Sequence, residues 1–298
     1  MIFIISIHNL RCRLLQLSPM KIILIGYCTI ILIGTLLLGL PIATRNPEDA
    51  NFFTGFFTAT SATCVTGLIQ FDTYTYWSPF GQAVILGLIQ IGGIGFMTLG
   101  IFIMVLAKVK IGLISRSLMQ NSVSAPQIGG IVKMTRFILR GTFSIELFGA
   151  ILLAIYFCPK YGLGKGIWFS IFHSISAFCN AGFDLMGTAE PFSSLTAQVG
   201  NWCVNLIIMS LIVVGGLGFF VWRDILNTRL HFTKMQLHTK LVLTVTAFLI
   251  ISGSVLLFLF EHGTASFEGL TLSEQIAASS FQSVSARTAG FNTIDLAA

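Results

Sequence analysis

One pattern occurs three times along the sequence: a basic residue, an apolar stretch, a polar stretch and then a glycine. In each copy the basic residue stands thirteen positions before a first glycine, in the pairs Lys21 and Gly34, Arg136 and Gly149, and Lys240 and Gly253. A second glycine follows the basic residue by 46, 46 and 50 positions within SATCVTGL, SAFCNAGF and SARTAGF, as Gly67, Gly182 and Gly290. Internal similarity this regular indicates one structural unit that is present in several copies.

The composition places these units in a membrane. Of the 298 residues, 55% are hydrophobic and only 9% are charged, and the mean hydropathy is +0.88. Such a chain is an integral membrane protein. Because about 20 apolar residues in a helix cross the hydrocarbon layer, the sequence predicts five full spans. They lie near residues 21–42, 78–107, 136–157, 199–222 and 240–260.

Three shorter stretches, near 51–67, 167–182 and 274–290, are too polar and too brief to cross the bilayer alone. The charge of the loops 108–135 and 223–239 distinguishes crossing from re-entry of the short stretches, because Lys and Arg concentrate on the cytoplasmic side. If the short stretches crossed, the two loops would face opposite compartments. Both loops are basic, so we predict that the short stretches enter the membrane and return.

The predicted fold is therefore all-α and integral to the membrane, with repeated units of helix, re-entrant pore loop and helix around a pseudo-symmetric central pore. We expect a multi-pass protein of the plasma membrane with a cytoplasmic N-terminus. The predicted segments are 1–20, a cytoplasmic or interfacial lead-in; 21–107, the first repeat; 108–135, a basic cytoplasmic loop; 136–222, the second repeat; 223–239, a basic cytoplasmic loop; and 240–298, a third, incomplete repeat.

The net charge of +6 is explained by this orientation and by contact with anionic lipid, without a nucleic-acid partner. The six cysteines form no CxxC pair and predict no disulfide framework. No set of nucleophile, base or metal ligands with partners occurs within the predicted spans, so the sequence does not indicate an enzyme.

A re-entrant segment must satisfy its backbone inside protein, as a short descending helix followed by extended chain beside water. The carboxyl end of such a helix carries about half a negative charge, which favours a cation. The extended stretches 63–67, 178–182 and 287–290 would then offer carbonyl oxygens, and glycine allows the backbone angles that aim them at one axis. Oxygen ligands without carboxylates suit a monovalent, weakly hydrated ion, so the predicted cargo is K⁺.

The predicted selectivity filter contains three to five residues from the end of each hairpin. They are Thr63, Cys64, Val65, Thr66, Gly67, Cys179, Asn180, Ala181, Gly182, Thr288, Ala289 and Gly290. A single glycine in a polar turn is usually only a turn, but three in register favour a filter. No organic cofactor is expected; K⁺ is transported, and a role for Na⁺ stays open.

Several other polar residues have a structural and a functional interpretation. Glu146 falls in the middle of a predicted span, where an acid is costly, and we favour a structural role over a coupling or gating carboxylate. Asp184 and Asp295 follow two of the filter glycines and either attract cations or end the turn. His231 and His238 lie in a basic loop, where a solvated face is favoured over metal binding.

The runs IGGIGF (91–96) and VGGLGF (214–219) lie in the second spans of the first two repeats. Small residues there predict close helix packing, and no strand precedes either run, which argues against a nucleotide fingerprint. Two rival functions remain as alternatives: a secondary cation transporter or symporter of another family, and, less favoured, a membrane-embedded enzyme. Inverted repeats of a secondary transporter would place basic loops on alternating sides.

Six segments together resemble the KtrB branch of the Trk/Ktr/HKT potassium transporters: FFTATSATCVTGL, IQIGGIGFMTLG, HSISAFCNAGFDL, IVVGGLGF, LHTKLVL and SFQSVSARTAGFNTID. The resemblance implies four helix, pore loop, helix units in one chain, around a filter with one glycine from each. By position, Gly67, Gly182 and Gly290 are similar to three of those four.

The resemblance also implies partners. They are a second copy of the chain in a homodimer, the lipid bilayer, and a cytoplasmic nucleotide-binding ring of the KtrA type that docks on the basic loops. The sequence ends eight residues past Gly290, without a second helix for the third repeat or a fourth repeat. We therefore expect a partial chain, and the predicted function, potassium uptake with Na⁺ dependence left open, refers to the complete protein.

Overall fold

The computed structural model describes residues 19–95, 131–188 and 190–294. Within these ranges the protein is helical, and only an isolated antiparallel bridge joins Thr44 to Trp77. The α-helices are α1 (Pro19–Leu38), α2 (Phe52–Cys64), α3 (Thr73–Tyr76), α4 (Pro79–Ile94), α5 (Ile131–Tyr161), α6 (Leu163–Phe178), α7 (Trp202–Gly216), α8 (Phe219–Thr228), α9 (Leu237–Glu261) and α10 (Leu272–Ser285). Short 3₁₀ turns lie at Pro41–Ala43, Pro47–Asp49, Thr196–Gln198, Phe232–Lys234 and Ala265–Phe267.

The predicted repeats are visible as three pairs of helices in which a long or apolar helix packs on a shorter one. The pairs are α1 with α2, α5 with α6, and α9 with α10. Polar side chains cap the start of two of the short helices. The Asn51 side chain accepts from Phe53 N at the start of α2. Thr271 and Glu274 form a capping box at the start of α10.

The first glycine of each sequence pattern is the contact point within its pair. A Cβ placed on Gly149 would lie 2.6 Å from Ser174 Oγ, and one on Gly253 would lie 2.5 Å from Ser283 Oγ. In the first repeat a Cβ on Gly34 would meet Leu88 at 2.8 Å and Ala59 at 3.2 Å. The regular spacing of these glycines thus reflects a close approach between the long helix and the short one, repeated three times.

Hydroxyl groups reinforce this contact in the second and third repeats. Ser174 Oγ donates to the Glu146 carbonyl at 2.6 Å, and Ser283 Oγ donates to the Ile250 carbonyl at 2.9 Å. Both carbonyls lie three residues before the contact glycine of the long helix. These equivalent bonds support the duplication that the sequence pattern predicts.

Among the described residues, two helices are long and apolar enough to cross a membrane, judged by length and composition: Lys133–Tyr161 within α5, and Leu237–Glu261. They match the predicted first spans of the second and third repeats. The bent pair Trp202–Gly216 and Phe219–Thr228 would make a third if it is one span. Shorter apolar helices occur at Ile23–Leu38 and Pro79–Ile94. The predicted span at 78–107 continues beyond α4 into residues outside the described ranges.

The predicted span at 199–222 consists of two helices at an angle to each other, and not of one continuous helix. α7 and α8 are separated at Leu217 and Gly218, and the chain bends there by 96°. Gly218 has φ of 88°, in the region that favours glycine, and this conformation ends the helix. Trp222 Nε1 donates to the Val214 carbonyl across the bend at 2.9 Å.

The buried core surrounds the short helices. Its largest buried side chains include aromatic rings of α6 and of the segments that follow the second and third filter glycines. They are Phe169 and Phe172 of α6, with Phe183 and Phe291 beyond the glycines. By contrast, α9 exposes large apolar side chains such as Phe248 (69%) and Ile251 (65%), as a helix surface facing lipid requires.

Candidate ion-conduction site

The loops at the carboxyl ends of the three short helices contact one another. Each helix is followed by a non-helical stretch with a glycine of positive φ: 77° at Gly67, 72° at Gly182 and 78° at Gly290. Residues other than glycine rarely adopt this backbone conformation. The three glycines singled out by the sequence pattern therefore occupy equivalent positions in three equivalent hairpins.

The hairpins contact one another through their backbones. A Cβ on Gly67 would lie 2.6 Å from the Ala181 carbonyl oxygen, and a Cβ on Gly182 would lie 2.3 Å from that of Ala289. The same positions lie 3.4 Å from Gly182 Cα and 3.3 Å from Gly290 Cα, respectively. The second hairpin, which contains Gly182, thus lies between the first, with Gly67, and the third, with Gly290. These distances leave no room for a side chain on Gly67 or Gly182.

A serine braces each hairpin. Its hydroxyl donates to the carbonyl of the residue directly after the filter glycine: Ser61 Oγ to Leu68 at 2.7 Å, Ser176 Oγ to Phe183 at 2.6 Å and Ser285 Oγ to Phe291 at 2.6 Å. These serines lie in the last turn of the helix or directly at its end. The bond therefore ties the exit of each loop to the helix from which the loop departs.

The backbone of the same serine holds the middle of the loop. The Ser61 carbonyl accepts from Thr66 N at 2.9 Å, and the Ser176 carbonyl accepts from Ala181 N at 2.8 Å. In the third loop the Ser285 carbonyl accepts from Ala289 N at 2.8 Å. Each loop is consequently closed by two bonds to one residue, which fixes the direction of the carbonyls between them.

The two glycine runs lie behind the first two loops. A Cβ on Gly92 would be 2.1 Å from the Thr63 carbonyl oxygen, and a Cβ on Gly215 would be 1.9 Å from that of Phe178. Only a residue without a side chain allows this approach. The prediction that the glycine runs serve close packing is confirmed, and their partners are the filter loops.

The predicted filter residues differ in what they contact. The Thr63 carbonyl packs against Gly92 of α4, and the Cys179 sulfur lies where a Cβ on Gly93 would approach it to 2.5 Å. Thr288 Oγ1 donates to Asn180 Oδ1 at 3.1 Å and joins the third loop to the second. The hairpin geometry thus brings the predicted residues of the three loops together, with some groups turned toward the supporting helices.

Glu146 lies behind the second loop, in a buried polar contact between two repeats. Gln90 Nε2 donates to its carboxylate oxygens at 3.0 and 3.1 Å, and Cys179 Sγ lies 3.9 Å from Oε1. Glu146 is only 4% exposed. These bonds give the acid partners from the first repeat and from a filter loop, which supports the structural role that we favour.

A buried histidine holds the chain beyond the second filter glycine. His173 Nδ1 lies 2.7 Å from the Phe169 carbonyl, and Leu185 N donates to His173 Nε2 at 3.3 Å. The ring is therefore a neutral tautomer with the proton on Nδ1. The His173 ring centroid is 6.4 Å from that of Phe291, just past the third glycine.

The other polar candidates have local partners. Asp184 Oδ1 accepts from Met186 N at 3.0 Å, as expected for a residue that ends a turn. His231 Nδ1 lies 3.1 Å from the Thr228 and Arg229 carbonyls on an exposed surface. Within the described ranges no group of three His, Cys, Asp or Glu side chains could hold a metal ion. Asp295 lies outside the described residues.

Sequence reasoning missed the serine braces and His173. The serines carried a signal, because a Ser-Ala pair opens all three filter segments, at Ser61, Ser176 and Ser285. His173 carried none, since threonine and glutamine stand at the corresponding positions three residues before the other two serines, as Thr58 and Gln282. Its role depends on a contact with Leu185 that no spacing rule predicts.

The fold and this site define a class: membrane transport proteins in which repeated helix, pore loop, helix units bring backbone glycines to one centre. Residues 28–298 match the TrkH family, whose members are described as cation transport proteins. The chain belongs to this family.

Individual relatives agree with the assignment. The chain is 42% identical over 94% of its length to the potassium/sodium uptake protein NtpJ of Enterococcus hirae and, equally, to the Ktr system potassium uptake protein B of Bacillus subtilis. It covers 61% of each of these relatives. The crystal structure of the potassium transporter TrkH from Vibrio parahaemolyticus superposes with a TM-score of 0.59, covering 90% of this chain and 52% of that one at 16% identity. This last likeness concerns the fold alone.

Proposed function

We propose that the complete protein carries K⁺ across the plasma membrane through a filter lined by backbone carbonyls, including those of the three hairpins. The observation that carries the proposal is the direct backbone contact between the loops at Gly67, Gly182 and Gly290. Carbonyl oxygens that converge in this way replace the hydration shell of a weakly hydrated cation. The chain spans about three fifths of the curated relatives it matches, so the activity belongs to the longer protein.

The electrostatics of the hairpins support a cation. α2, α6 and α10 all end at the loops, so the negative ends of their dipoles point to the place where the loops meet. No acidic side chain belongs to the predicted filter stretches, which fits a monovalent ion better than Ca²⁺ or Mg²⁺. The proposed ion ligands are carbonyls of the stretches 63–67, 178–182 and 287–290, except those of Thr63 and Phe178, which face Gly92 and Gly215 of the supporting helices.

The part of the proposal that concerns Na⁺ and protein partners starts from the names of the relatives. One relative is named a potassium/sodium uptake protein and another a Ktr system component. We propose that Na⁺ influences K⁺ uptake and that the complete protein works as a multi-pass homodimer, with a cytoplasmic nucleotide-binding ring on its basic loops. The cytoplasmic N-terminus is part of the same proposal, because the basic residues then face the cytoplasm.

Growth of a potassium-uptake-deficient bacterium on limiting K⁺, with the full-length gene and its variants, tests the proposal. Gly67→Asp should abolish rescue, because its Cβ would meet the Ala181 carbonyl and its φ is unfavourable for a side chain. Gly164→Ala is the matched control, since a Cβ there meets nothing within 4 Å. Membrane abundance is measured for each variant, and ⁸⁶Rb⁺ uptake is compared with and without Na⁺. Full rescue by Gly67→Asp would refute the filter assignment.

A further inference from the structure

A small cavity separates the first turns of α5 from α8, away from the filter. Its volume is about 200 Å³. The residues that line it are Lys133, Met134, Phe137, Arg223, Leu226 and Asn227. The first three come from the start of the long helix and the others from the helix that follows the 96° bend.

The polar groups of this cavity are donors. Lys133 and Arg223 are both exposed, and among the described residues Arg223 Nη1 makes a long contact, 3.8 Å, with Met134 Sδ. The acid nearest in sequence, Asp224, is buried, and its carboxylate accepts from Gln236 N at 2.9 Å on the way to the next helix. None of the described residues that line the cavity is acidic, so two cations and the donor group of the Asn227 amide surround a space with the chemistry of an anion site.

The surroundings of the cavity are apolar. Leu226 is 65% exposed, and Leu230 and Phe232, which follow on the same side of the bend, are 76% and 49% exposed. A helix that turns almost at right angles from a membrane-spanning segment lies along the membrane surface, with its apolar side chains among the acyl chains. An anion bound here would thus have acyl chains beside it.

We propose that this cavity binds the phosphate headgroup of an anionic phospholipid from the cytoplasmic leaflet. Lys133 and Arg223 hold the phosphate oxygens, Asn227 donates to the headgroup, and Phe137 and Leu226 contact the first methylene groups of the chains. Basic pockets between membrane helices on the cytoplasmic side are suited to such headgroups. The site is independent of the proposed ion path, since none of its residues belongs to a filter loop.

Native mass spectrometry of the purified full-length protein, titrated with phosphatidylglycerol or phosphatidylcholine, tests the proposal. We expect retained phosphatidylglycerol, and an apparent affinity about tenfold or more lower in the double variant Lys133→Gln/Arg223→Gln, from the loss of two basic contacts. The charge-preserving pair Lys133→Arg/Arg223→Lys should retain most of the binding. The control pair Lys160→Gln/Lys165→Gln removes the same charge near the opposite end of α5.

Three outcomes would overturn the proposal. The first is equal loss of phosphatidylglycerol in the control pair, which would indicate general attraction of a basic protein to anionic lipid. The second is displacement of the lipid by millimolar inorganic phosphate, which would identify a free-anion site. The third is normal lipid binding by Lys133→Gln/Arg223→Gln together with loss of a co-purified cytoplasmic subunit, which would make the cavity a protein-docking surface. Size-exclusion profiles that match the wild type establish that each variant is folded.

Discussion

The third filter loop differs from the first two in length and in support. The serine bond spans seven residues in loops one and two but six in loop three. The longer loops turn through a residue with left-handed backbone, Val65 or Asn180, both with φ of 57°. Loop three has no such residue at the helix end, where Ala286 stays helical. Despite this difference the three glycines have nearly the same φ, so the serine and the glycine define the loop and the intervening residues adapt.

The support of the loops also differs. Loops one and two lie against Gly92 and Gly215 of the helices that follow them. Among the described residues, loop three is held instead by side chains: Arg287 Nη2 donates to Thr246 Oγ1 at 3.4 Å, and Thr288 donates to Asn180. These side-chain bonds join loop three to α9 and to loop two.

The largest effect is expected from filling the space behind a loop. Gly92→Ala would place a methyl group 2.1 Å from the Thr63 carbonyl oxygen. Because the obstacle is backbone, the loop must move, at a cost toward the upper end of the ~1–3 kcal/mol typical of overpacking. We expect K⁺ uptake by the full-length protein to fall at least tenfold, measured as ⁸⁶Rb⁺ influx per mole of membrane protein.

Gly87→Ala in the same helix is the matched control, since a Cβ there meets nothing within 4 Å. Gly215→Ala should reproduce the loss at the second loop, where the corresponding distance is 1.9 Å. Wild-type influx in both Gly92→Ala and Gly215→Ala would contradict the importance of steric backing.

An intermediate effect is expected from the serine braces. Ser61→Ala, Ser176→Ala and Ser285→Ala each leave one loop carbonyl without its donor, at a cost of about 1–3 kcal/mol. If the brace acts in the same way in loops of either length, the three variants should lose K⁺ over Na⁺ selectivity to similar extents. Competition of Na⁺ with ⁸⁶Rb⁺ influx measures this loss.

Ser252→Ala provides a control for the serine series, because its hydroxyl donates only within the exposed face of α9. An effect confined to Ser61→Ala and Ser176→Ala would show that loop three is defined by its side-chain bonds and not by its serine.

The smallest effect is expected from the bond between loops two and three. Thr288→Val removes a hydroxyl that donates to Asn180 Oδ1 at 3.1 Å. Because the group is exposed, the bond contributes about 0.5–1.5 kcal/mol. Influx of the single variants Thr288→Val and Asn180→Ala and of the double variant forms a cycle that isolates the coupling. Strict additivity of the two changes would mean that the bond does not join the loops.

Much of the fold follows from the sequence because the repeats are local. The three short helices, the glycines and the packing role of the runs 91–96 and 214–219 all depend on spacing within one unit. The bend at Gly218 was missed because VGGLGF occurs in an apolar stretch long enough for one span. The hydrophobicity of a stretch indicates whether it is long enough to cross the bilayer, but it does not indicate whether the helix bends within that stretch.

The candidate site was predicted only in part, for a related reason. The glycines predict where the backbone has a positive φ, but the contacts between repeats join residues that are far apart in sequence. Gln90 reaches Glu146 over 56 positions, and Thr288 reaches Asn180 over 108. No periodicity within a repeat predicts which residues of different repeats will meet. Which individual carbonyls bind the ion also stays a prediction.

The serine brace has an evolutionary consequence. Each loop is closed by a hydroxyl from its own helix, so a deletion in one copy is absorbed locally and need not be matched in the others. Repeated units with this bond can differ in the sequence and the length of their loops while the loops keep a similar conformation. The third loop is one residue shorter than the others, and the Ser285 bond to Phe291 closes it in the same way.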